Sequence, residues 1–315
     1  MSERCRVCDE PAVQLVGGQP YCERHVERAT RRLGSLWRVD LVSVGALIAF
    51  VAVVYALDAL LHPRLEGPAL AVAGLLLAVV PAAIWLSFFY RRDSREPEPR
   101  TMVLGVAILG GLVGAAVVIP LLRDVLAIDG RLDGSPLAFL LGSILVVGFV
   151  EEFAKYATVR LSVYPSREFD ERADGVVYAS AAGVGMAVAL NVAFVVQSGG
   201  VDLGAGAIRI VVTALAQASF AGVTGYFLGR QKMERRAWWW MPAGLAIAAT
   251  LNGVFTFLRG TVTSGSLNAA AGQIGPWLGL GLAAVLALGV TAALTALIRR
   301  ELAAPVGAVA AGSAS

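Results

Sequence analysis

The sequence predicts an all-α polytopic membrane protein, with about eight transmembrane helices behind a small N-terminal module. Three observations predict it. Of the 315 residues, 57% are hydrophobic and only 16% charged, with a mean hydropathy of +0.71, too apolar for a soluble domain of this length. Apolar runs of about 20 residues recur, the length needed to cross about 30 Å of hydrocarbon. The basic residues gather in alternate loops. Together these exclude a soluble globular enzyme. The formal charge of +3 comes with clustered arginines, and no nucleic-acid partner is expected.

The N-terminal segment, residues 1–38, has no apolar core and does not read as a cleavable signal peptide. It holds all three cysteines, Cys5, Cys8 and Cys22, and one of the two histidines, His25. Their spacing is C-x2-C-x13-C-x2-H. Two short-spaced pairs joined by a turn can bring four ligands around a tetrahedral zinc ion. "VQLVGGQPY" between the pairs reads as a hairpin turning at Gly17-Gly18. "ERHVERATRRLGSLWR" reads as the helix that follows, with Cys22 and His25 at its first turn. The competing reading is unpaired thiols with a chance histidine. A head this small buries little apolar surface, so a metal would serve as its core. Four protein ligands leave no open position for catalysis, which points to a structural or partner-binding zinc-ribbon or treble-clef-like head.

Apolar runs follow near 42–61, 68–90, 101–122, 137–162, 175–197, 207–229, 238–258 and 276–298. They place a transmembrane domain over 40–300. Arginines and lysines precede the first run and follow the second, fourth, sixth and eighth. Basic residues concentrate on the cytoplasmic side, so both termini are expected in the cytoplasm of a plasma-membrane protein, where disulfides are not expected. Trp238, Trp239 and Trp240 read as an interfacial anchor. Gly183, Gly185, Gly222, Gly225 and Gly229 suggest close helix packing. Residues 301–315 read as a disordered tail of small residues. There is no evident internal repeat, so nothing supports a transporter built from duplicated halves.

The fourth run contains "VVGFVEEFAKYATVR", with Glu151, Glu152 and Lys155 inside the span. Helical spacing puts Lys155 one turn from both carboxylates. Lys155 can neutralise one of them and merely orient the helix, but the second then stays uncompensated. Ionisable residues inside a span are candidates for function. Other runs carry Asn191, Gln217, Ser219 and Asn252, each of which alone reads as an interhelical hydrogen bond. At the helical rise, Asn191 lies about 26 Å beyond Asp174, Gln217 about 20 Å before Arg230 and Asn252 about 24 Å beyond Arg236. Glu151 lies about 14 Å before Arg160 and joins that level only if its helix extends towards Pro165. On that condition the five polar groups line one cavity.

"YRRDSREPEPR", "VEEFAK" and "DGVVYASAAGVGMAVALN" resemble the PrsW family of intramembrane proteases, relatives of the CAAX-prenyl-protease and bacteriocin-processing membrane proteins. The resemblance runs from roughly residue 70 to residue 260. It includes the loop with Asp93, Glu96, Pro97, Glu98 and Pro99 and the Asp174-Gly175 helix entry. It implies a metal-dependent hydrolytic site in which one carboxylate of the Glu pair activates water and histidines of later helices help hold an intramembrane metal. It implies catalytic roles for Glu151, Glu152, Lys155 and Asn191, a substrate or metal cavity lined by Gln217 and Asn252, and a single-span membrane partner such as an anti-sigma factor. The sequence departs from that pattern at Leu190-Asn191, where the family has Glu-Asn, and at Gln217 and Asn252, where it has His. Its only histidines are His25 and His62. A degenerate member that binds a membrane partner without hydrolysis is the alternative.

Overall fold

The computed structural model describes residues 4–5, 8, 10–16, 19–32, 36–61, 67–91, 98–127, 135–197, 203–234, 236–263, 275–302 and 307–308. The Gly17-Gly18 turn, His62, Asp93, Glu96, Pro97 and most of the expected tail lie outside the described residues.

The head comes first. Strands β1 (Gln14–Val16) and β2 (Gln19–Tyr21) pair antiparallel, with Val16 opposite Gln19. Helix α1 (Glu23–Arg32) follows directly on Cys22. Residues 33–35 of the expected helix lie outside the described residues, and α2 spans Leu36–Leu61. At the far end of the chain α9 spans Gly275–Leu302. Strand β3 (Gly307–Ala308) then pairs with the free edge of β1.

Between α2 and α9 stand α3 (Gly67–Tyr90), α4 (Arg100–Val125), α5 (Pro136–Ser162), α6 (Arg172–Gln197), α7 (Leu203–Glu234) and α8 (Trp240–Thr263). Six helices are long and apolar enough to cross a membrane: α3, α4, α5, α6, α7 from Gly206, and α8 to Arg259. The first and last expected spans correspond to shorter apolar stretches, Leu41–Leu57 and Gly281–Leu297, inside α2 and α9. The protein is thus an all-helical, multi-pass membrane protein.

The inner pair is α6 and α7, with 61% and 72% of their apolar windows buried against 33–38% for the other candidate spans. Helix α6 packs on α7, α4 and α3, and α8 packs on α5, α7 and α9. Phe220 and Phe255 meet edge to face between α7 and α8. Leucines and valines such as Leu104, Leu145, Leu161 and Val285 point outward, as expected of a surface bathed in lipid tails.

Two glycines fix the separations that build the site. A Cβ at Gly148 in α5 would lie 2.2 Å from the Ala249 carbonyl oxygen of α8, and one at Gly183 in α6 would lie 2.3 Å from that of Gln217 in α7. Only glycine lets the backbones approach this closely. Helix α5 also widens into a π-helical stretch over Ser143–Gly148, immediately before the Glu pair. Such wide turns shift the face that following side chains present, and they recur at functional sites.

Candidate functional site

Past that π stretch, α5 directs Glu151, Glu152 and Lys155 inward, and all three are buried. Helix α5 continues two residues beyond Arg160, to Ser162, and stops short of Pro165. The Lys155 ammonium pairs with Glu152 Oε1 and donates to Gln217 Oε1 at 2.5 Å. Gln217 Nε2 donates to Glu151 Oε2 at 2.7 Å. Asn252 Nδ2 donates to Glu151 Oε2 and to Glu152 Oε1, both at 2.9 Å. Three helices, α5, α7 and α8, therefore close on a single network. Gln217 and Asn252 are buried as well. Charged groups survive in such surroundings only when paired and hydrogen-bonded.

Four of the expected partners of this centre come together around Glu152, namely Glu151, Lys155, Gln217 and Asn252. Asn191 is placed elsewhere. Its Nδ2 donates to the Ile210 carbonyl of α7 at 3.2 Å, and Ile210 lies about 10 Å before Gln217 along that helix. Ser219 Oγ bonds the Leu215 carbonyl and Thr291 of α9, an interhelical contact outside the network.

Two buried acceptors in the network have no hydrogen-bond partner among the described residues: Glu152 Oε2 and Asn252 Oδ1. Both belong to groups already held on their other atom. An unmet buried acceptor costs free energy, on the order of 1–3 kcal/mol, so a donor such as water suits this place.

The donor set does not fit a zinc ion. Two carboxylates and two amides offer only hard oxygen ligands, without imidazole or thiolate. The Lys155 ammonium already occupies Glu152 Oε1 and Gln217 Oε1 and sets a positive charge beside any cation there.

A second polar cluster was not anticipated. Tyr178 Oη donates to Glu98 Oε2 at 2.5 Å, and both groups are buried. Asp174 Oδ2 accepts from the backbone amides of Asp170 and Glu171 at 2.7 and 2.5 Å, folding the α5–α6 loop over the start of α6. Glu98 and Asp174 belong to family-like motifs, but 76 positions separate them in the chain. No local pattern announces that they meet on α6.

The head is a candidate metal site. One ligand atom each from Cys5, Cys8, Cys22 and His25 lie within 4.8 Å of one another. Cys8 and Cys22 sulfurs are 3.6 Å apart, and His25 Nδ1 lies 3.5, 3.5 and 3.2 Å from the sulfurs of Cys5, Cys8 and Cys22. A tetrahedral ion with bonds of about 2.3 Å to sulfur and about 2.0 Å to nitrogen demands edges of about 3.5–3.8 Å. The four residues therefore fit a metal. Burial pushes the Cys22 thiol up to about 11, whereas a bound cation favours the deprotonated ligand. Tyr21, beside Cys22, donates to Glu171 Oε1 at 3.2 Å and joins the head to the α5–α6 loop.

Residues 98–290 match the family described as PrsW family intramembrane metalloprotease. The protein named Protease PrsW of Geobacillus kaustophilus (strain HTA426) is 31% identical over 185 residues, covering 57% of this chain and 76% of that protein. Its namesake in Bacillus subtilis (strain 168) is 27% identical over 182 residues, covering 57% and 79%. That of Clostridioides difficile (strain 630) is 28% identical over 190 residues, covering 58% and 77%. No solved structure matches the chain. A match that spans more than half of the sequence, including the helix of Glu151 and Glu152, makes this chain a member of the PrsW family of intramembrane metalloproteases.

Proposed function

We propose that the chain is a membrane-embedded protease acting on a membrane-anchored protein, with the Glu151–Glu152 pair at its centre. The observation that carries this reading is the pair of unmet acceptors, Glu152 Oε2 and Asn252 Oδ1. A water molecule donating to them would stand where Glu152 can take its proton as general base. Lys155 holds Glu152 Oε1 and so leaves Oε2 as the atom that accepts the proton. Gln217 and Asn252 fix Glu151 beside it, and the enclosing helices keep bulk water away.

A second reading has its own support. Gln217 and Asn252 stand where the family resemblance expects histidines, and both spend their amide groups on the carboxylates and Lys155. On that reading the chain keeps the fold, lacks hydrolysis and binds a membrane partner. By resemblance the partner is a single-span protein such as an anti-sigma factor. The head, over residues 1–38, would carry one structural zinc, and the transmembrane domain would span 40–300 with both termini cytoplasmic.

The deciding experiment co-expresses a tagged single-span reporter with wild type, Glu152→Gln, and the double variant Gln217→His/Asn252→His. Wild-type cleavage that vanishes in Glu152→Gln is the expected result. Cleavage by the double variant alone supports the degenerate reading. Cleavage that survives Glu151→Gln and Glu152→Gln together removes the pair from the chemistry.

A further inference from the structure

On α7, Arg209, Thr213 and Gln217 are four residues apart and fall on one face. On α8, Asn252 and Arg259 are seven residues apart and also share a face. The two faces meet. Gln217 and Asn252 both hold Glu151, and towards the helix ends remote from the head Arg259 Nη1 donates to Thr213 Oγ1 at 3.3 Å. Arg259 also lies within reach of the charge of Glu151.

Arg209 closes the track. Its guanidinium lies over the Phe194 ring of α6, 3.1 Å from the centroid, and it has no ion pair among the described residues. It is close enough to Arg259 for the two charges to interact. Arginines near the end of a span ordinarily snorkel apart into the headgroups. Here both side chains are half-buried, and Arg259 is bonded to Thr213, one turn from Arg209 on α7. Two like charges gathered in low-dielectric surroundings favour an anion between them, and guanidinium forks match a carboxylate.

We infer that Arg209 and Arg259 form a carboxylate-recognition subsite of the Glu151–Glu152 centre, taking an acidic side chain of the membrane-anchored partner. This rests on the reading of that centre as a place where a partner segment is bound, whether or not it is cut. The track runs on to the Glu pair, which favours a ligand that reaches the pair over a lipid headgroup that stays at the rim. Arg209 lies about 12 Å from Gln217 along α7. An extended segment covers that distance in about three to four residues. The acidic side chain therefore belongs about three to four positions from the partner residue that meets Glu152.

The test measures binding, so it survives a loss of hydrolysis. The full chain carrying Glu152→Gln is reconstituted in zwitterionic nanodiscs. A fluorescent single-span peptide with two glutamates at the membrane edge remote from the head is titrated in, and so is its glutamine counterpart. The glutamate peptide should bind about tenfold or more tightly than its counterpart. Arg209→Gln/Arg259→Gln should abolish that preference, and Arg209→Lys/Arg259→Lys should keep part of it. Equal binding of the two peptides, binding of neither, or a preference that persists in the Gln double variant overturns the subsite. A preference that anionic phosphatidylglycerol erases assigns the arginines to lipid phosphate and likewise overturns it. Failure of cleavage with the peptide preference intact overturns only the protease reading.

Discussion

Lys155 Nζ and Gln217 Oε1 lie 2.5 Å apart, although 62 positions separate them in the chain. The same ammonium pairs with Glu152 on its own helix. Lys155 thus balances a carboxylate and also pins α5 to α7.

Removal of that charge has a defined cost. Lys155→Met leaves the buried Glu152 carboxylate without its cation, and breaking a buried pair from one side costs about 3–5 kcal/mol. Lys155→Met should therefore unfold in detergent well below wild type, as followed by thermal denaturation. Lys155→Met/Glu152→Gln should recover most of the loss. A Lys155→Met protein as stable as wild type would mean that the ammonium is not a structural partner of Glu152.

The spacing of α5 and α8 offers a second test. Gly148 faces the Ala249 carbonyl, where an added Cβ would sit at 2.2 Å. Gly148→Val must push α8 away, and overpacking of this kind costs about 1–3 kcal/mol. Asn252 rides on α8 and bonds both carboxylates. The substitution should thus lower stability and also loosen the Glu pair. A cysteine pair placed across α5 and α8 should crosslink less efficiently in the Gly148→Val background, and unchanged crosslinking would count against close packing as the reason for this glycine.

Much of this was legible in the sequence because membrane helices obey a strong constraint. Every backbone polar group in hydrocarbon must be satisfied within its own helix, so apolar length alone located the helices. The charged Glu151, Glu152 and Lys155 stood out against that background for the same reason. Depth arithmetic then grouped Gln217 and Asn252 correctly, but it also grouped Asn191. Depth counted from flanking charges assumes that every helix enters the membrane at the same level. Gly183 is the α6 residue that faces Gln217, so Asn191 stands about 12 Å further along α6 and meets the Ile210 carbonyl instead. The Glu98–Tyr178 contact was hidden for a related reason. It joins two segments through tertiary packing and leaves no periodic trace. The spacing of Arg209, Thr213 and Gln217 was readable as one helical face. Its partner face on α8 gained meaning only once Arg259 reached Thr213.

The head yields the last prediction. Its ligand atoms already stand at tetrahedral spacing, and one zinc per chain is expected by elemental mass spectrometry. A bound metal protects thiols, so Cys5, Cys8 and Cys22 should react with a maleimide only after chelation. On the proposed orientation, with both termini cytoplasmic, a membrane-impermeant maleimide should label them only after cells are lysed and the metal removed. Strong labelling of intact cells would reverse the assigned orientation. Tyr21 makes the consequence reach further. Its hydroxyl bonds Glu171, whose backbone amide bonds Asp174 at the start of α6. Tyr21→Phe should leave the zinc content unchanged, because Tyr21 is not a ligand, and should weaken the contact by about 0.5–1.5 kcal/mol. Backbone amides of residues 163–171 should then exchange with deuterium faster, and chelation of the wild-type head should produce the same acceleration. Exchange that ignores both changes would mean that the head only rests beside the loop without steadying it.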